Sequence, residues 1–155
     1  MLNVGEEAPQ FSLSDQSGNM VSLLDFRGKK NVVIFFYPKD NTAGCTSQSC
    51  SFRDNYAGFD AFNTQVLGIS DDSVKSHQGF AAEHHLPYPV LSDEGGKVRK
   101  SFGLKSFLGI LPPRASFVID QNGIICHVFS SQLQIARHID ETLRAIQRLS
   151  PSARN

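Results

Sequence analysis

Residues 31–45 read NVVIFFYPKDNTAGC, and the first seven of them decide the fold. NVVIFFY is an unbroken run of β-branched and aromatic residues, which is typical of a central strand buried on both faces of a sheet. The run ends at Pro38, which cannot continue the hydrogen bonding of a strand. The loop that follows therefore begins at the carboxyl end of a buried strand, where open α/β sheets form their functional sites.

Six further segments share the features of strands, because each is a short apolar or β-branched run bounded by turn residues. They are residues 11–13, 20–23, 65–70, 90–91, 115–120 and 124–129. The first two predict a hairpin near the N-terminus. The last two are separated by Gln-Asn-Gly, which is a strong hairpin signal.

Four segments predict helices, from apolar residues spaced by three and four positions or from capping residues. They are residues 45–62 (one helix or two), 74–85, 97–102 and 135–149. Strands alternate with helices in the first half, which predicts parallel strands joined by crossovers, whereas the final hairpin adds antiparallel strands. The order therefore predicts an α/β, thioredoxin-like fold with a mixed central sheet, flanking helices and an N-terminal β-hairpin.

Length and composition predict one domain at residues 1–150, followed by a short tail at 151–155. The chain has 155 residues, and its 15 basic and 15 acidic side chains give a formal net charge of zero. No block of like charge occurs, which argues against nucleic acid or an anionic membrane as the main partner. The longest apolar run, VVIFF, is far shorter than the roughly 20 residues of a membrane-spanning helix.

The N-terminus and the cysteine count indicate a reducing compartment. The first residues, MLNVGEEAPQF, carry two acids and no apolar run, unlike a signal or transit peptide. The chain has three cysteines, an odd number that does not fit a secreted disulfide framework. We therefore expect a cytoplasmic protein or the mature form of an organelle protein.

Two of the cysteines, Cys45 and Cys50, lie close together after the loop that begins at Pro38. Their spacing matches neither the common zinc sites nor the C-x-x-C redox motif. Cys45 falls in the loop or in the first turn of the next predicted helix, where free N–H groups favour a thiolate. Cys45 is therefore the candidate nucleophile, although a lone cysteine near a helix start is more often a small buried side chain.

The residues around these cysteines carry a resemblance to a known family. The stretch PKDNTAGC at 38–45 resembles the active-site signature of the peroxiredoxins, which are thiol peroxidases. Cys50 followed by FRD at 52–54 is similar to the Q-type subgroup, also called bacterioferritin comigratory protein. The likeness continues through GEEAPQFSL, VLGIS, LPYPVLSDEGGKVRKSFG, RASFVID and HIDETL. Gln48 stands where many members have Glu, as it does in plant-type members.

The resemblance implies a role for each of five residues. Cys45 would be the peroxidatic nucleophile, which a hydroperoxide oxidises to a sulfenic acid. Thr42 would donate to the thiolate or bond the peroxide oxygen, and Pro38 would shape the pocket and shield the sulfur from water. Arg114 would hold the thiolate and stabilise charge on the leaving oxygen, since a guanidinium stays charged at any working pH. Cys50 would be the resolving thiol, which forms a disulfide with Cys45.

The same resemblance implies partners and excludes cofactors. It implies a hydroperoxide substrate, a thioredoxin or similar dithiol as reductant, a monomer, and neither a cofactor nor a metal. The five histidines show no metal-ligand spacing. Organic hydroperoxides are suggested by four apolar residues expected to flank the pocket, Phe107, Leu108, Ile110 and Leu111.

Helix geometry adds a prediction about the two cysteines. Residues five apart in an α-helix are separated by about 7.5 Å along the axis and about 140° around it. Their Cα atoms then lie beyond the roughly 7 Å limit for a disulfide. If the segment is helical through both positions, the first turns must unwind before Cys45 and Cys50 can bond.

Two other functions fit the sequence less well. A general thiol–disulfide oxidoreductase of thioredoxin type would need the C-x-x-C motif that the chain lacks. A chaperone or binding module with an incidental pair of thiols is the other alternative, and such a protein would not consume peroxide. Cys126 alternates with apolar neighbours on a predicted strand and matches no family role, so we interpret it as structural.

Overall fold

The computed structural model describes residues 1–105 and 113–149. Its strands are β1 (Ser12–Ser14), β2 (Met20–Ser22), β3 (Asn31–Phe36), β4 (Thr64–Ser70), β5 (Val90–Ser92), β6 (Ala115–Ile119) and β7 (Ile125–Ser130). Its helices are α1 (Ala43–Asp54), α2 (Tyr56–Ala61), α3 (Val74–His84), α4 (Lys97–Ser101) and α5 (Ile135–Leu149), with a 3-10 turn at Leu23–Phe26. The tail predicted at 151–155 and the four apolar residues Phe107, Leu108, Ile110 and Leu111 lie outside the described residues.

The seven strands form one mixed sheet in the order β2-β1-β5-β4-β3-β6-β7. β3 is parallel to β4, and β4 is parallel to β5, as the helical crossovers predict. All other neighbours are antiparallel, including the predicted hairpins β1–β2 and β6–β7. The predicted thioredoxin-like arrangement is confirmed, with the apolar run at 31–37 at its centre.

β3 is buried on both faces because its side chains alternate between two apolar clusters. Val33 and Phe35 pack on the face covered by α1, α2, α3 and α5. Ile34 and Phe36 pack on the opposite face, against α4 and the N-terminal segment. A fully buried side chain of this size contributes about 1.5–3 kcal/mol, so this one strand ties both layers of the fold together.

The segment predicted as one helix or two, residues 45–62, is two helices. The backbone of Thr42 is still extended, with ψ at 152°, and α1 begins at the next residue, two positions before the prediction. Asn55 separates α1 from α2, and its side-chain amide donates to the carbonyl of Ser51 at 2.8 Å. The backbone N–H of Asn55 donates to the same carbonyl at 3.1 Å, and asparagine is a weak helix former, which favours a break at this position. No helix within residues 1–105 and 113–149 is long and apolar enough to cross a membrane.

Candidate active site

Cys45 lies in the first turn of α1, three residues after Thr42, the residue that precedes the helix. Its side chain is fully buried, and it belongs to the apolar cluster on the α1 face of the sheet. The first turn of a helix has N–H groups without helical partners and a partial positive charge. The predicted position of Cys45 at a helix start, just beyond the carboxyl end of β3, is confirmed.

Arg114 brings a positive charge to the sulfur of Cys45. It immediately precedes β6, the neighbour of β3, and only 5% of its surface is exposed. Its Nη2 donates to Cys45 Sγ at 3.3 Å, and its Nη1 donates to Gln48 Oε1 at 2.5 Å. Within the described residues, no carboxylate forms an ion pair with Arg114, so its charge is shared between a sulfur and a neutral amide.

Gly44 allows this close approach. A Cβ at that position would lie 3.1 Å from Arg114 Nη2, which is tighter than an ordinary contact. The guanidinium is held by hydrogen bonds to Cys45 and Gln48, so it has little freedom to move aside. The absence of a side chain at residue 44 is therefore part of the geometry that places Arg114 against the thiol.

Thr42 and Pro38 lie on the loop between β3 and α1. The hydroxyl of Thr42 donates to the carbonyl of Lys39 at 2.8 Å. Its hydrogen is thus directed at the backbone in this structure, whereas the family resemblance implies a donor to the thiolate or a bond to the peroxide oxygen. The oxygen of this exposed hydroxyl retains lone pairs that can accept a hydrogen bond. Pro38 is half-buried directly after Tyr37.

A buried pair, Asp40 and His77, fixes this loop to α3. His77 Nδ1 lies 2.7 Å from a carboxylate oxygen of Asp40, and His77 Nε2 lies 3.0 Å from the carbonyl of Leu91. Both ring nitrogens of His77 therefore have polar partners in the interior. The Tyr37 hydroxyl donates to the same carboxylate at 2.6 Å. Burial, and then the charge of Asp40, raise the pKa of Tyr37 well above its usual value.

Sequence reasoning missed this pair, because its members lie 37 residues apart and match no motif. Oxygen and nitrogen atoms of Asp40, Asp72 and His77 lie within 4.8 Å of one another. These atoms already have protein partners: Asp72 accepts from the Ser70 hydroxyl at 2.6 Å and from the Asp40 amide at 2.8 Å. We therefore interpret the group as a structural network that holds the loop of Pro38 and Thr42.

Cys50 lies on the same helix as Cys45 and is half-buried. α1 is helical at both Cys45 and Cys50, which is the condition under which the sequence predicts that the helix must unwind before they can bond. The two Cα atoms then lie too far apart, and their side chains diverge too much, for a disulfide in this conformation.

Cys126 lies on β7, away from the other two cysteines. Its Sγ is 3.5 Å from a carboxylate oxygen of Asp120 and 3.4 Å from the carbonyl of Ile124. Burial, and then the charge of Asp120, raise the pKa of Cys126 to about 11. A thiol with this pKa is almost entirely protonated at neutral pH and is a poor nucleophile. Its surroundings therefore favour the structural interpretation.

The arrangement supplies what displacement at an O–O bond requires. A thiol at a helix start faces a fixed cation, and the same cation can stabilise charge on a departing oxygen. A second thiol lies within the same helix. Of the five predicted site residues, Cys45 and Arg114 are in direct contact, Thr42 and Pro38 lie on the adjoining loop, and Cys50 is close only in sequence.

Comparison with known proteins agrees with this geometry. The family model described as AhpC/TSA matches residues 4–128. A peroxiredoxin Q from Sedum lineare, named as chloroplastic, is 50% identical over 146 residues, which are 94% of this chain and 78% of that protein.

Solved structures of proteins named as a peroxidoxin and a bacterioferritin comigratory protein have the same fold as this chain. Peroxidoxin BcpB from Mycobacterium tuberculosis is 34% identical, with a TM-score of 0.89 over 96% of this chain and 99% of that one. Bacterioferritin comigratory protein from Xanthomonas campestris, described by its alkyl peroxide reduction activity, is 29% identical. Its TM-score is 0.82 over 90% of this chain and 92% of that one.

Proposed function

Because the chain belongs to the AhpC/TSA family, as a peroxiredoxin of the Q group, it is a thiol-dependent peroxidase, and we propose that Cys45 is its nucleophile. The contact between Arg114 Nη2 and Cys45 Sγ, 3.3 Å long and at the start of α1, carries this proposal. It pairs the thiol with a permanent cation where a helix also favours a thiolate.

In the peroxide step, the Cys45 thiolate attacks the terminal oxygen of a hydroperoxide. The S–O bond forms as the O–O bond breaks, so the sulfur is oxidised to a sulfenic acid. The departing oxygen takes up a proton and leaves as water or an alcohol. Arg114 stabilises the charge on that oxygen, Thr42 accepts a hydrogen bond from the hydroperoxide, and Pro38 limits access of water to the sulfur.

In the resolving step, the thiol of Cys50 attacks the sulfur of the Cys45 sulfenic acid. The S–S bond forms and the S–O bond breaks, and the hydroxide leaves as water with the proton of Cys50. A dithiol reductant of thioredoxin type then returns both cysteines to thiols by exchange. No cofactor takes part in either step.

The same proposal includes the substrates, the oligomeric state and the location of the protein. The substrates are hydrogen peroxide and organic hydroperoxides, in keeping with the alkyl peroxide reduction described for the Xanthomonas campestris relative. The protein acts as a monomer whose domain spans residues 1–150. It works in the cytoplasm or as the mature form in an organelle; the plant relatives are named as chloroplastic. The alternative, a general thiol–disulfide oxidoreductase, is not favoured.

Single cysteine variants test the roles. Cys45→Ser should abolish peroxide consumption, because the only thiol beside Arg114 within the described residues is lost. Cys50→Ser should consume one equivalent of peroxide, accumulate oxidised Cys45 and lose turnover with a thioredoxin. Cys126→Ser is the control and should turn over at the wild-type rate. The measurements are peroxide consumption with a thioredoxin and its reductase, and the mass of the oxidised protein.

The opposite pattern would contradict the proposal. Turnover that depends on Cys126 and not on Cys50 would remove the resolving role from Cys50. An active Cys45→Ser variant would remove the nucleophile. Rapid reduction of insulin by the wild type, without peroxide consumption, would favour the oxidoreductase alternative.

A further inference from the structure

The side of α1 that faces the sheet is polar in its middle turn. Gln48 and Ser49 have no exposed surface. Neither Gln48 Nε2 nor Ser49 Oγ has a hydrogen-bond partner within residues 1–105 and 113–149. A buried polar atom without a partner destabilises the conformation that buries it. The helical form of α1 is therefore weakened at the turn between Cys45 and Cys50.

Tyr88 stabilises the helical form of α1 at the same turn. Its hydroxyl donates to the carbonyl of Ser49 at 2.8 Å, and its side chain is 1% exposed. Its ring packs edge-on against Phe35 of β3 with centroids 5.8 Å apart, and it stacks on Tyr56 at 6.4 Å. The bond therefore joins α1 to a side chain that is packed against the centre of the sheet.

The backbone around Tyr88 is fixed as well. The side-chain amide of Gln16 donates to the Tyr88 carbonyl at 3.2 Å, and its oxygen accepts from the Val90 amide at 3.0 Å. Burial is the main reason that the pKa of Tyr88 is raised, so its hydroxyl keeps its proton and remains a donor. These contacts join Tyr88 to β3 and to the turn between β1 and β2, independently of its bond with α1.

A disulfide between Cys45 and Cys50 requires the residues between them to leave the helix. The Ser49 carbonyl belongs to that segment, so unwinding breaks its bond with Tyr88. Unwinding also releases the Ser49 hydroxyl to water, where its hydrogen bonds are restored. The two hydroxyl groups therefore have opposite effects on the equilibrium between helical and unwound α1.

We propose that Tyr88 and Ser49 are positioning residues that set this equilibrium, Tyr88 by holding α1 helical and Ser49 by weakening it. The inference rests on the proposed function, because it concerns the fate of the Cys45 sulfenic acid. Unwound α1 lets Cys50 attack that sulfur, with water leaving. While α1 is helical, the sulfenic acid of Cys45 can instead react with a second hydroperoxide. The hydroperoxide transfers its terminal oxygen to the sulfur, which becomes a sulfinic acid, and the rest of the hydroperoxide leaves as water or an alcohol.

Tyr88→Phe tests the first half of the proposal, since it removes one hydroxyl and keeps the ring. One buried hydrogen bond changes an equilibrium by about threefold to tenfold. We expect the disulfide to form faster by that factor, and inactivation to require correspondingly more peroxide. In the dithiol form, amide exchange over residues 43–54 should be faster. The first reaction of Cys45 with peroxide should keep its rate.

Ser49→Ala removes the unpartnered hydroxyl, so it should slow disulfide formation, lower the amount of peroxide needed for inactivation and slow amide exchange over residues 43–54. The first reaction of Cys45 with peroxide should again keep its rate. Tyr56→Phe is the matched control, since it takes a hydroxyl from the ring stacked on Tyr88 without touching α1. It should behave as the wild type. The rates are measured by rapid mixing with hydrogen peroxide, and sulfinic acid is measured by mass spectrometry.

Two outcomes would overturn the proposal. The first is wild-type amide exchange and wild-type disulfide formation in a folded Tyr88→Phe variant; the second is faster disulfide formation in Ser49→Ala. Peptide mapping of the oxidised wild type separates this inference from the proposed function. If no bond joins Cys45 to Cys50, the resolving role fails, whereas amide exchange in the dithiol form still tests the effect of Tyr88 on α1.

Discussion

At the scale of single residues, the central contact is between Arg114 and Cys45, and two neighbours, Gly44 and Gln48, help to form it. Gly44 leaves room for the guanidinium, Gln48 accepts one of its hydrogen bonds, and the thiol accepts another. A glutamate at residue 48 would pair its negative charge with the guanidinium, whereas the neutral amide of Gln48 leaves more of the positive charge directed at the sulfur.

Arg114→Lys should slow the peroxide step by about 100-fold, because removing a preorganised donor to a developing oxyanion has an effect of that size. A lysine keeps the charge but cannot donate to Gln48 and Cys45 at once through a planar fork. Stopped-flow measurement of the first turnover gives the rate, and circular dichroism confirms the fold. Arg137→Lys, on the exposed side of α5, is the control. An Arg114→Lys variant as fast as the wild type would remove Arg114 from the site.

Local patterns predicted the helix start and Cys45 as the candidate nucleophile, and the role of Thr42 came from the family resemblance, which also depends on neighbouring residues of the sequence. The partners that hold the site come from distant segments. Tyr88 meets Ser49 across 39 residues, and Asp40 meets His77 across 37. Single-sequence patterns do not encode such contacts, so neither pair was predicted. The hydrogen bond of Thr42 with Lys39 was missed for another reason: a hydroxyl can rotate toward either partner.

At the scale of one element, the two steps of the proposed reaction need different conformations of α1. As a helix it presents free N–H groups to Cys45, and as a helix it keeps Cys50 out of reach. Its residues suit a segment that must unwind, since Gly44, Thr46, Ser47 and Ser49 are weak helix formers. Its C-terminal part is anchored more firmly, because the ring of Phe52 stacks on Phe35 with centroids 4.4 Å apart.

The disulfide form should therefore contain less helix than the dithiol form. Circular dichroism should show the loss, and amide exchange should be faster over residues 42–54 once the disulfide forms. Residues of α5, which pack beside α1, serve as the internal reference. Equal protection of residues 42–54 in both redox states would mean that Cys45 and Cys50 do not bond, or that α1 is not helical in solution.

At the scale of the whole molecule, His138 joins α5 to β6 and to the segment that follows β7. It has no exposed surface, its Nε2–H donates to the Ser131 carbonyl at 2.9 Å, and its Nδ1 accepts from the Ser116 hydroxyl at 2.8 Å. Burial, with a smaller contribution from the charge of Arg114, lowers the pKa of His138 to about 4. The folded protein therefore holds this ring neutral over a range in which the unfolded chain protonates it.

His138 should make the protein less stable in mild acid. The unfolded ring has a pKa of about 6.5. Stability from the neutral ring is complete above that pH and is lost as the pH falls toward about 4. In this window the free energy of unfolding should fall by about 1.4 kcal/mol per pH unit from this group alone. Urea titrations from pH 7 to pH 4 measure the slope, with His138→Gln as the comparison. Equal slopes in both proteins would refute the assignment.

The central position of β3 also fixes the order in which the site can be assembled during synthesis. Cys45 leaves the ribosome early, together with the strand that precedes it, but Arg114 follows 69 residues later. Pairings between segments so far apart form late in folding, because the intervening chain must first be closed into a loop. A nascent chain thus carries its thiol before it carries the cation that faces it. Arg114 reaches Cys45 only when β6 joins the sheet, so on the proposed role of Arg114 an incomplete chain should react with peroxide at this sulfur more slowly than the folded protein.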